Sequence, residues 1–219
     1  MPALTAEQLE IRELARDFAR GELRPHSARW DAEGALDDEV FGALGELGFL
    51  GMLAPEAHGG LELDLVTYLL VLEELAWGDA AVALSVAIHD GPVTGLLVGH
   101  GSETQKAEWL PGLASGALLG AFALSEAEAG SDAAALRARA VRNGDAWILE
   151  GEKKWVTNGA RAGVVAVFAQ TDEEGGIGCF LVEPSTGGYE VVGRATTMGL
   201  RASETVHVRL DGVRVEAEG

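Results

Sequence analysis

The hydrophobic period of this chain changes once, near residue 118, and that change limits the possible folds more than any other feature. Before it, apolar residues recur at helical intervals, as from Ile11 to Phe18. After it, they form short runs or alternate with polar residues, as from Thr205 to Leu210. Helices followed by strands predict an α+β protein, with an all-α domain at 1–118 and an all-β, barrel-like or sandwich-like domain at 119–219.

Capping signals mark where helices begin in the first half. Thr5–Gln8 and Ser102–Gln105 have the spacing of capping boxes, and the helix after Ser102 is expected to stop before Pro111. Another helix is expected from Asp37 or Asp38 to about Gly48, since Phe41, Leu44 and Leu47 follow at helical spacing.

A further helix is expected after Asp64. Its buried stripe is predicted to consist of Leu65, Leu69, Leu72 and Ala76, with Glu73 and Glu74 in solvent. From Asp79 to His89 the pattern is ambiguous, because alternating Val, Leu and Ile favour a strand whereas the interleaved alanines favour a helix. His89 is expected in the core or at an interface.

Two turn signals organise the second half. Asn143-Gly144 predicts a hairpin, because both residues accept a positive φ, and Asp211-Gly212 predicts another turn. Val164–Ala169 and Cys179–Val182 are expected to be strands.

Charge and composition exclude several classes of partner. The net charge of −19 argues against nucleic acid and anionic membranes. The single Cys179 rules out an internal disulfide and has no metal partners at useful spacing, so we expect no metal site. No signal peptide is evident, and no apolar run approaches the ~18–20 residues of a membrane span. We therefore expect a cytoplasmic protein.

Two stretches of the second half carry the functional argument. In Gly120–Asp132 an apolar run breaks at Ser125 into a loop that ends in Gly130-Ser131-Asp132. Such a loop offers backbone N–H groups and hydroxyls to an anionic or heteroaromatic cofactor, although it also suits a plain turn. In 151–159, Trp155 and Thr157 are expected on the same face of a short strand. There is no G-x-G-x-x-G or P-loop motif.

Together these stretches resemble the acyl-CoA dehydrogenase family. The resemblance rests on the Ser-Glu…Gly-Ser-Asp loop and on Lys-x-Trp-Val-Thr-Asn-Gly. It extends to Leu47-Gly48-Phe49 upstream, and to Met198–Ser203 and Asp211–Val215 downstream. Ala127 and Glu128 depart from the family pattern, which commonly has Pro and Gly there. The resemblance also implies that 79–89 is a helix.

The resemblance implies that FAD is bound between the β-domain and the helices. Ser125 would donate to the flavin pyrimidine edge, Trp155 would pack on the isoalloxazine, and Thr157 would bond near N5. The implied cofactor-binding residues are Phe122, Ala123, Leu124, Ser125, Gly130, Ser131, Trp155, Val156 and Thr157. The implied acyl-CoA contacts are Ser131, Ala83 and Ala87, and the basic residues closest to the loop that could meet a CoA phosphate are Arg137, Arg139 and Arg142.

The implied reaction is α,β-dehydrogenation of an acyl-CoA thioester, with electron-transferring flavoprotein as acceptor and a homo-oligomer when full length. By resemblance the catalytic glutamate belongs to a C-terminal four-helix bundle, so we expect it beyond Gly219 and name no catalytic residue here. We accordingly expect the chain alone to bind FAD weakly or not at all. Two alternatives remain: a related flavin oxidase or monooxygenase, and a catalytically incompetent fragment or binding and assembly module.

Overall fold

The computed structural model describes residues 4–171 and 176–216, which fall into two compact units. One unit is the chain up to Ala117 together with Thr197–Ser203, and the other is Leu118–Thr196 with the chain from Glu204 onward. The second predicted domain ran unbroken from 119 to 219, whereas residues 197–203 cluster with the helical unit. The ion pair between Arg201 and Asp31 accounts for this, since the Arg201 Nε also donates to the Asp31 carbonyl at 3.0 Å.

The first unit is helical. Its elements are α1 (Ala6–Phe18), a π-helical turn (Ala19–Leu23), α2 (Ser27–Glu33), α3 (Glu39–Glu46), a 3₁₀ turn (Glu56–His58), α4 (Leu65–Gly78), α5 (Ala80–Ile88), a second π-helical turn (His89–Thr94), α6 (Gly95–His100), α7 (Glu103–Ala114) and a 3₁₀ turn (Arg201–Ser203). The two capping boxes are present, with Thr5 and Ser102 each accepting from the third residue of its helix. Asp64 and Asp79 cap α4 and α5. Sequence analysis missed the short α2.

The buried face of α4 is not the predicted one. Leu65 and Leu69 are 63% and 53% exposed, whereas Tyr68, Val71 and Leu75 are buried. The prediction that Glu74 is solvated is also wrong: its Oε1 lies 2.7 Å from Arg12 Nε and 2.7 Å from Arg16 Nη2 on α1, which packs against α4. Because α4 is apolar on most sides, the ion pairs and not the hydrophobic stripe select the buried face.

α7 does not stop before Pro111 but continues to Ala114. Leu113 and Ala114 are buried, so packing of this last turn offsets the hydrogen bond that proline cannot donate. Ser115 helps, since its hydroxyl donates to the Pro111 carbonyl at 2.9 Å.

Ala80–His100 forms one helical segment of 21 residues, which is long and apolar enough to cross a membrane by length and composition. The expectation that no apolar run approaches that length is therefore wrong. More than half of its apolar 18-residue window is buried inside the protein, as in a core helix that passes the same test, so the finding is weak evidence for a membrane span. The cytoplasmic location stays a prediction.

The second unit is a β-sheet. Its strands are β1 (Gly120–Ala123), β2 (Arg139–Asn143), β3 (Ala146–Val156), β4 (Val164–Thr171), β5 (Ile177–Val182), β6 (Tyr189–Arg194) and β7 (Val206–Glu216). Within the described residues they form one sheet in the order β1-β4-β2-β3-β7-β6, and β5 also pairs with β4. Val206, Val208 and Leu210 of β7 point into the core, as predicted.

The predicted turns are only partly right. The β2–β3 hairpin is confirmed, but Asn143 pairs with Ala146, so the turn residues are Gly144 and Asp145, with Gly144 at φ 64°. Asp211-Gly212 is not a turn, because β7 runs through it. Gly212 (φ 68°) is an extra residue opposite β3, a β-bulge that uses the left-handed conformation.

Candidate flavin-binding surface

Trp155 is exposed by a bulge near the end of β3. Lys153 pairs with Val208 and Val156 pairs with Val206, so two residues of β3 face one residue of β7. The bulge turns both Lys153 and Val156 inward and leaves the Trp155 side chain 56% exposed. Trp155 has φ 56°, which is uncommon for a bulky residue. An exposed indole in a sparsely populated backbone conformation is a candidate ligand contact.

The sequence predicts Trp155 and Thr157 on the same face of a strand, and this prediction is wrong. β3 ends at Val156, and Thr157 lies in the following turn, where it is 7% exposed and its Oγ1 is 3.2 Å from Thr205 Oγ1. The prediction assumed that side chains alternate regularly along β3, and the bulge breaks that alternation. Asn158 holds the turn in place with φ 65° and an Nδ2 that donates to the Gly120 carbonyl at 3.1 Å. Sequence analysis assigned Asn158 no role.

The loop that follows β1 lies alongside β3. The Ser125 carbonyl accepts from the Lys154 N–H at 2.8 Å, so the two stretches predicted to bind the cofactor are adjacent. Ser125 is half-buried and Ser131 is exposed. A side chain at Gly130 would meet nothing within 4 Å, so that backbone is open to approach.

The apolar residues at the end of β1 and the start of the loop differ in their burial. Ala123 is buried, Phe122 and Leu124 are half-buried, and the Phe122 ring lies 5.1 Å from the Phe168 ring. Glu128, the departure from the family pattern, is exposed and forms an ion pair with Arg137. The loop therefore accommodates this residue at the surface.

A buried ion pair that sequence analysis missed lies under the loop. Lys153 is fully buried, and its Nζ donates to Glu126 Oε1 at 2.7 Å and to the Leu124 carbonyl at 3.0 Å. Burial alone would raise the pKa of Glu126, but Lys153 and the N–H groups of Ala138 and Arg137 outweigh it and lower that pKa. Burial lowers the pKa of Lys153, opposed by Glu126. Since both Glu126 oxygens accept hydrogen bonds, this carboxylate is not placed to act as a base.

Of the predicted basic residues, Arg139 and Arg142 belong to β2, and Arg137 lies two residues before it. Arg137 and Arg139 border an open depression of about 730 Å³ whose other lining residues are Leu136, Ala140, Val141, Gln170 and Thr171. Arg142 lies over the Trp147 ring, 5.7 Å from its centroid. The arginines are therefore dispersed along 137–142 and do not converge on one point.

The residues predicted for the acyl group and the core histidine belong to the helical unit. Ala83 is buried and Ala87 is half-buried, one turn apart on α5. His89 is fully buried, with Nε2 at 2.8 Å from the Leu50 carbonyl, and burial lowers its pKa to about 4. The prediction of a core histidine is confirmed.

Cys179 belongs to no group of metal-ligating side chains in the part of the chain that the structure describes. Burial raises the pKa of the Cys179 thiol to about 12, so it is unreactive near neutral pH. Across residues 4–171 and 176–216, no three His, Cys, Asp or Glu side chains are grouped so that they could hold a metal ion.

Comparison with known proteins identifies the family. The sequence matches the models for the N-terminal domain of acyl-CoA dehydrogenases over residues 5–117 and for the middle domain over residues 121–213. The chain belongs to the acyl-CoA dehydrogenase family. The predicted resemblance and the order of an α-helical domain before a β-domain are both confirmed.

Similar proteins extend well beyond this chain. The probable acyl-CoA dehydrogenase YngJ of Bacillus subtilis is 38% identical over 218 residues, 98% of this chain and 57% of YngJ. A glutaryl-CoA dehydrogenase from Mycobacterium smegmatis, solved in complex with FADH2, is 38% identical with a TM-score of 0.92, covering 98% of this chain and 55% of that one. Butyryl-CoA dehydrogenase from Megasphaera elsdenii is 34% identical with a TM-score of 0.95, and the match covers 100% of this chain and 59% of that one. This chain thus spans little more than half of these relatives.

Proposed function

We propose that this chain carries the flavin-binding surface of an FAD-dependent acyl-CoA dehydrogenase, which removes the α and β hydrogens of an acyl-CoA thioester. The observation that carries the proposal is the exposed Trp155 in a left-handed bulge beside the Ser125 loop. FAD would supply the hydride acceptor for the β-hydrogen. Family membership and the relative solved with FADH2 support this cofactor.

The residues of the β unit have distinct roles in this proposal. The Trp155 indole covers the flavin ring and excludes water from it. Ser125 and Thr157 donate hydrogen bonds to polar atoms of the ring, and the backbone of 122–124 and 156 forms the adjoining wall. Gly130 and Ser131 face the pyrophosphate and the substrate's pantetheine arm.

The remaining assignments rest on family membership. We propose that Ala83 and Ala87 face the acyl chain, that the acceptor is electron-transferring flavoprotein and that the enzyme is a homo-oligomer. Glu126, the carboxylate that follows Ser125 in the loop, is not proposed as the base that removes the α-proton, because both of its oxygens are engaged in the buried ion pair and its hydrogen bonds.

The test is an FAD titration at high protein concentration, followed by flavin absorbance and tryptophan fluorescence. Trp155→Ala should weaken binding about tenfold, the effect of losing one aromatic stacking contact of ~1–1.5 kcal/mol. Trp77→Ala is the matched control, because Trp77 is 51% exposed but belongs to the helical unit. Equal FAD affinity for the wild-type protein and Trp155→Ala would contradict the proposed surface.

A second measurement addresses the reaction. Acyl-CoAs added anaerobically should bleach the flavin of a competent enzyme that contains this chain, and the reduced flavin should pass electrons to electron-transferring flavoprotein faster than to O₂. Faster reoxidation by O₂ would instead support a flavin oxidase.

A further inference from the structure

The buried Lys153–Glu126 pair makes more bonds than an ordinary ion pair needs. Lys153 Nζ reaches both the Glu126 carboxylate and the Leu124 carbonyl. The Glu126 carboxylate also accepts from the backbone N–H of Arg137 at 2.7 Å and of Ala138 at 3.0 Å. Apolar residues often stabilise a core as well as a buried ion pair does, so this arrangement suggests a role in fixing geometry.

The bonds converge on the residues around Ser125. The carbonyl before it is held by Lys153 Nζ, its own carbonyl accepts from the Lys154 N–H, and the next residue forms the ion pair. Three consecutive loop residues are thus tied to two consecutive residues of β3. Trp155 is the next residue along that strand, lies in the bulge and has a left-handed backbone conformation. Any shift of the ion pair would therefore move Ser125 relative to Trp155.

We propose that Lys153 and Glu126 are positioning residues that lock the Ser125 loop against the bulge carrying Trp155, so that the flavin-binding surface is preorganised. This inference rests on the proposed function for the identity of the ligand. Preorganisation raises affinity because the loop loses less conformational freedom when the ligand binds. Neither residue is required to touch the flavin.

Stability and positioning can be separated by two substitutions. Lys153→Met leaves the Glu126 carboxylate buried without a counter-charge, which destabilises the fold. Adding Glu126→Gln removes that charge, and the amide oxygen can still accept from one of the two backbone N–H groups. The double variant should therefore regain much of the stability but not the bond to the Leu124 carbonyl.

The experiment compares FAD affinity and amide hydrogen exchange in four proteins: wild type, Lys153→Met, the double variant and Lys154→Met. Lys154→Met is the matched control, because it makes the same change one position along β3 at a residue whose only described ion pair is the long 3.8 Å contact with Glu152. In both Lys153 variants the dissociation constant for FAD should rise about tenfold or more, as expected for one lost charge-assisted hydrogen bond. The Lys154 variant should stay within about twofold.

Exchange measured without FAD tests the lock independently of the ligand. The Lys154 N–H should exchange faster in the folded double variant than in wild type, because its acceptor Ser125 is no longer held. Unchanged exchange together with unchanged FAD affinity in the double variant would overturn the inference. If wild type itself does not bind FAD saturably, as is expected of the chain alone, the exchange rates alone decide whether Lys153 holds the loop.

Discussion

Asp90 gives the sharpest prediction about the helical unit. It lies in the π-helical turn after α5, is fully buried, and burial raises its pKa from 3.8 to about 8, opposed by the backbone N–H groups of Leu53 and Met52. A carboxyl group whose pKa is raised on folding stabilises the fold below its unfolded value of 3.8, and that stability is lost as the pH rises toward about 8. Each pH unit in that interval costs about 1.4 kcal/mol.

The interval contains a second titration from the neighbouring histidine. Burial lowers the pKa of His89 from 6.5 to about 4, so its contribution is present above 6.5 and is lost as the pH falls toward about 4. The two slopes oppose each other below 6.5. Tyr68 also interacts with Asp90, but burial raises its pKa to about 12, outside the interval. Between pH 6.5 and about 8 the slope therefore belongs to Asp90.

Asp90→Asn removes this proton linkage while keeping the side chain's size. Between pH 6.5 and about 8, wild type should lose about 1.6 kcal/mol of stability relative to Asp90→Asn, because the slope of ~1.4 kcal/mol per pH unit falls to half as Asp90 becomes half-ionised near its raised pKa. That is a large part of the ~5–15 kcal/mol typical of a domain. The assay is urea unfolding followed by the helical circular dichroism signal at several pH values.

The control is Glu73→Gln, which removes an exposed carboxylate from α4. It should leave the pH slope of wild type unchanged. Parallel pH profiles for wild type and Asp90→Asn would refute the reasoning, because they would mean that Asp90 titrates alike in the folded and unfolded chain.

Two further predictions concern α4 and α5. Glu74→Gln should cost about 1.5–3 kcal/mol near neutral pH, the range for hydrogen bonds to charged groups, as measured by the same unfolding assay. Because Arg16 lowers the pKa of Glu74 against the effect of burial, the difference should persist above pH 4.5 and shrink as the pH falls through the lowered pKa. Under the proposed function, Ala87→Phe should slow flavin bleaching by long acyl-CoAs more than by short ones, and Ala80→Phe, at an exposed position of the same helix, should not. Equal losses across chain lengths would mean that Ala87 does not face the acyl chain.

Helix starts could be predicted because the signals that make them are local. In the Thr5 and Ser102 boxes, the bonding partner lies three residues along the chain, so the spacing is visible in the sequence. The buried face of α4 could not be predicted, because Glu74 is buried by arginines about sixty residues away in sequence. The end of α7 could not be predicted from Pro111 for the same reason. The packing of the buried Leu113 in the core outweighs the local tendency of proline to end a helix.

Glycine signals identified irregular backbone but not its type. Gly144 and Gly212 both have positive φ, yet Gly144 lies in a hairpin turn and Gly212 forms a β-bulge within the continuous strand β7. The difference lies in the partner strand, since β3 supplies pairing residues on both sides of Gly212. A dipeptide pattern contains no information about that partner.

In the surface proposed to bind flavin, a charged residue is buried and an aromatic residue is exposed, which is the reverse of the usual pattern. In β3 a lysine is fully buried while the tryptophan two residues later is exposed, and the bulge between them makes both placements possible. The sequence shows alternation but not the bulge, so it predicted the residue types of the site and missed their support. A charge buried under a loop, next to an aromatic ring held in solvent, is costly on both counts unless a ligand or a fixed geometry requires it. That cost is the physical reason for assigning the loop and the bulge to one site.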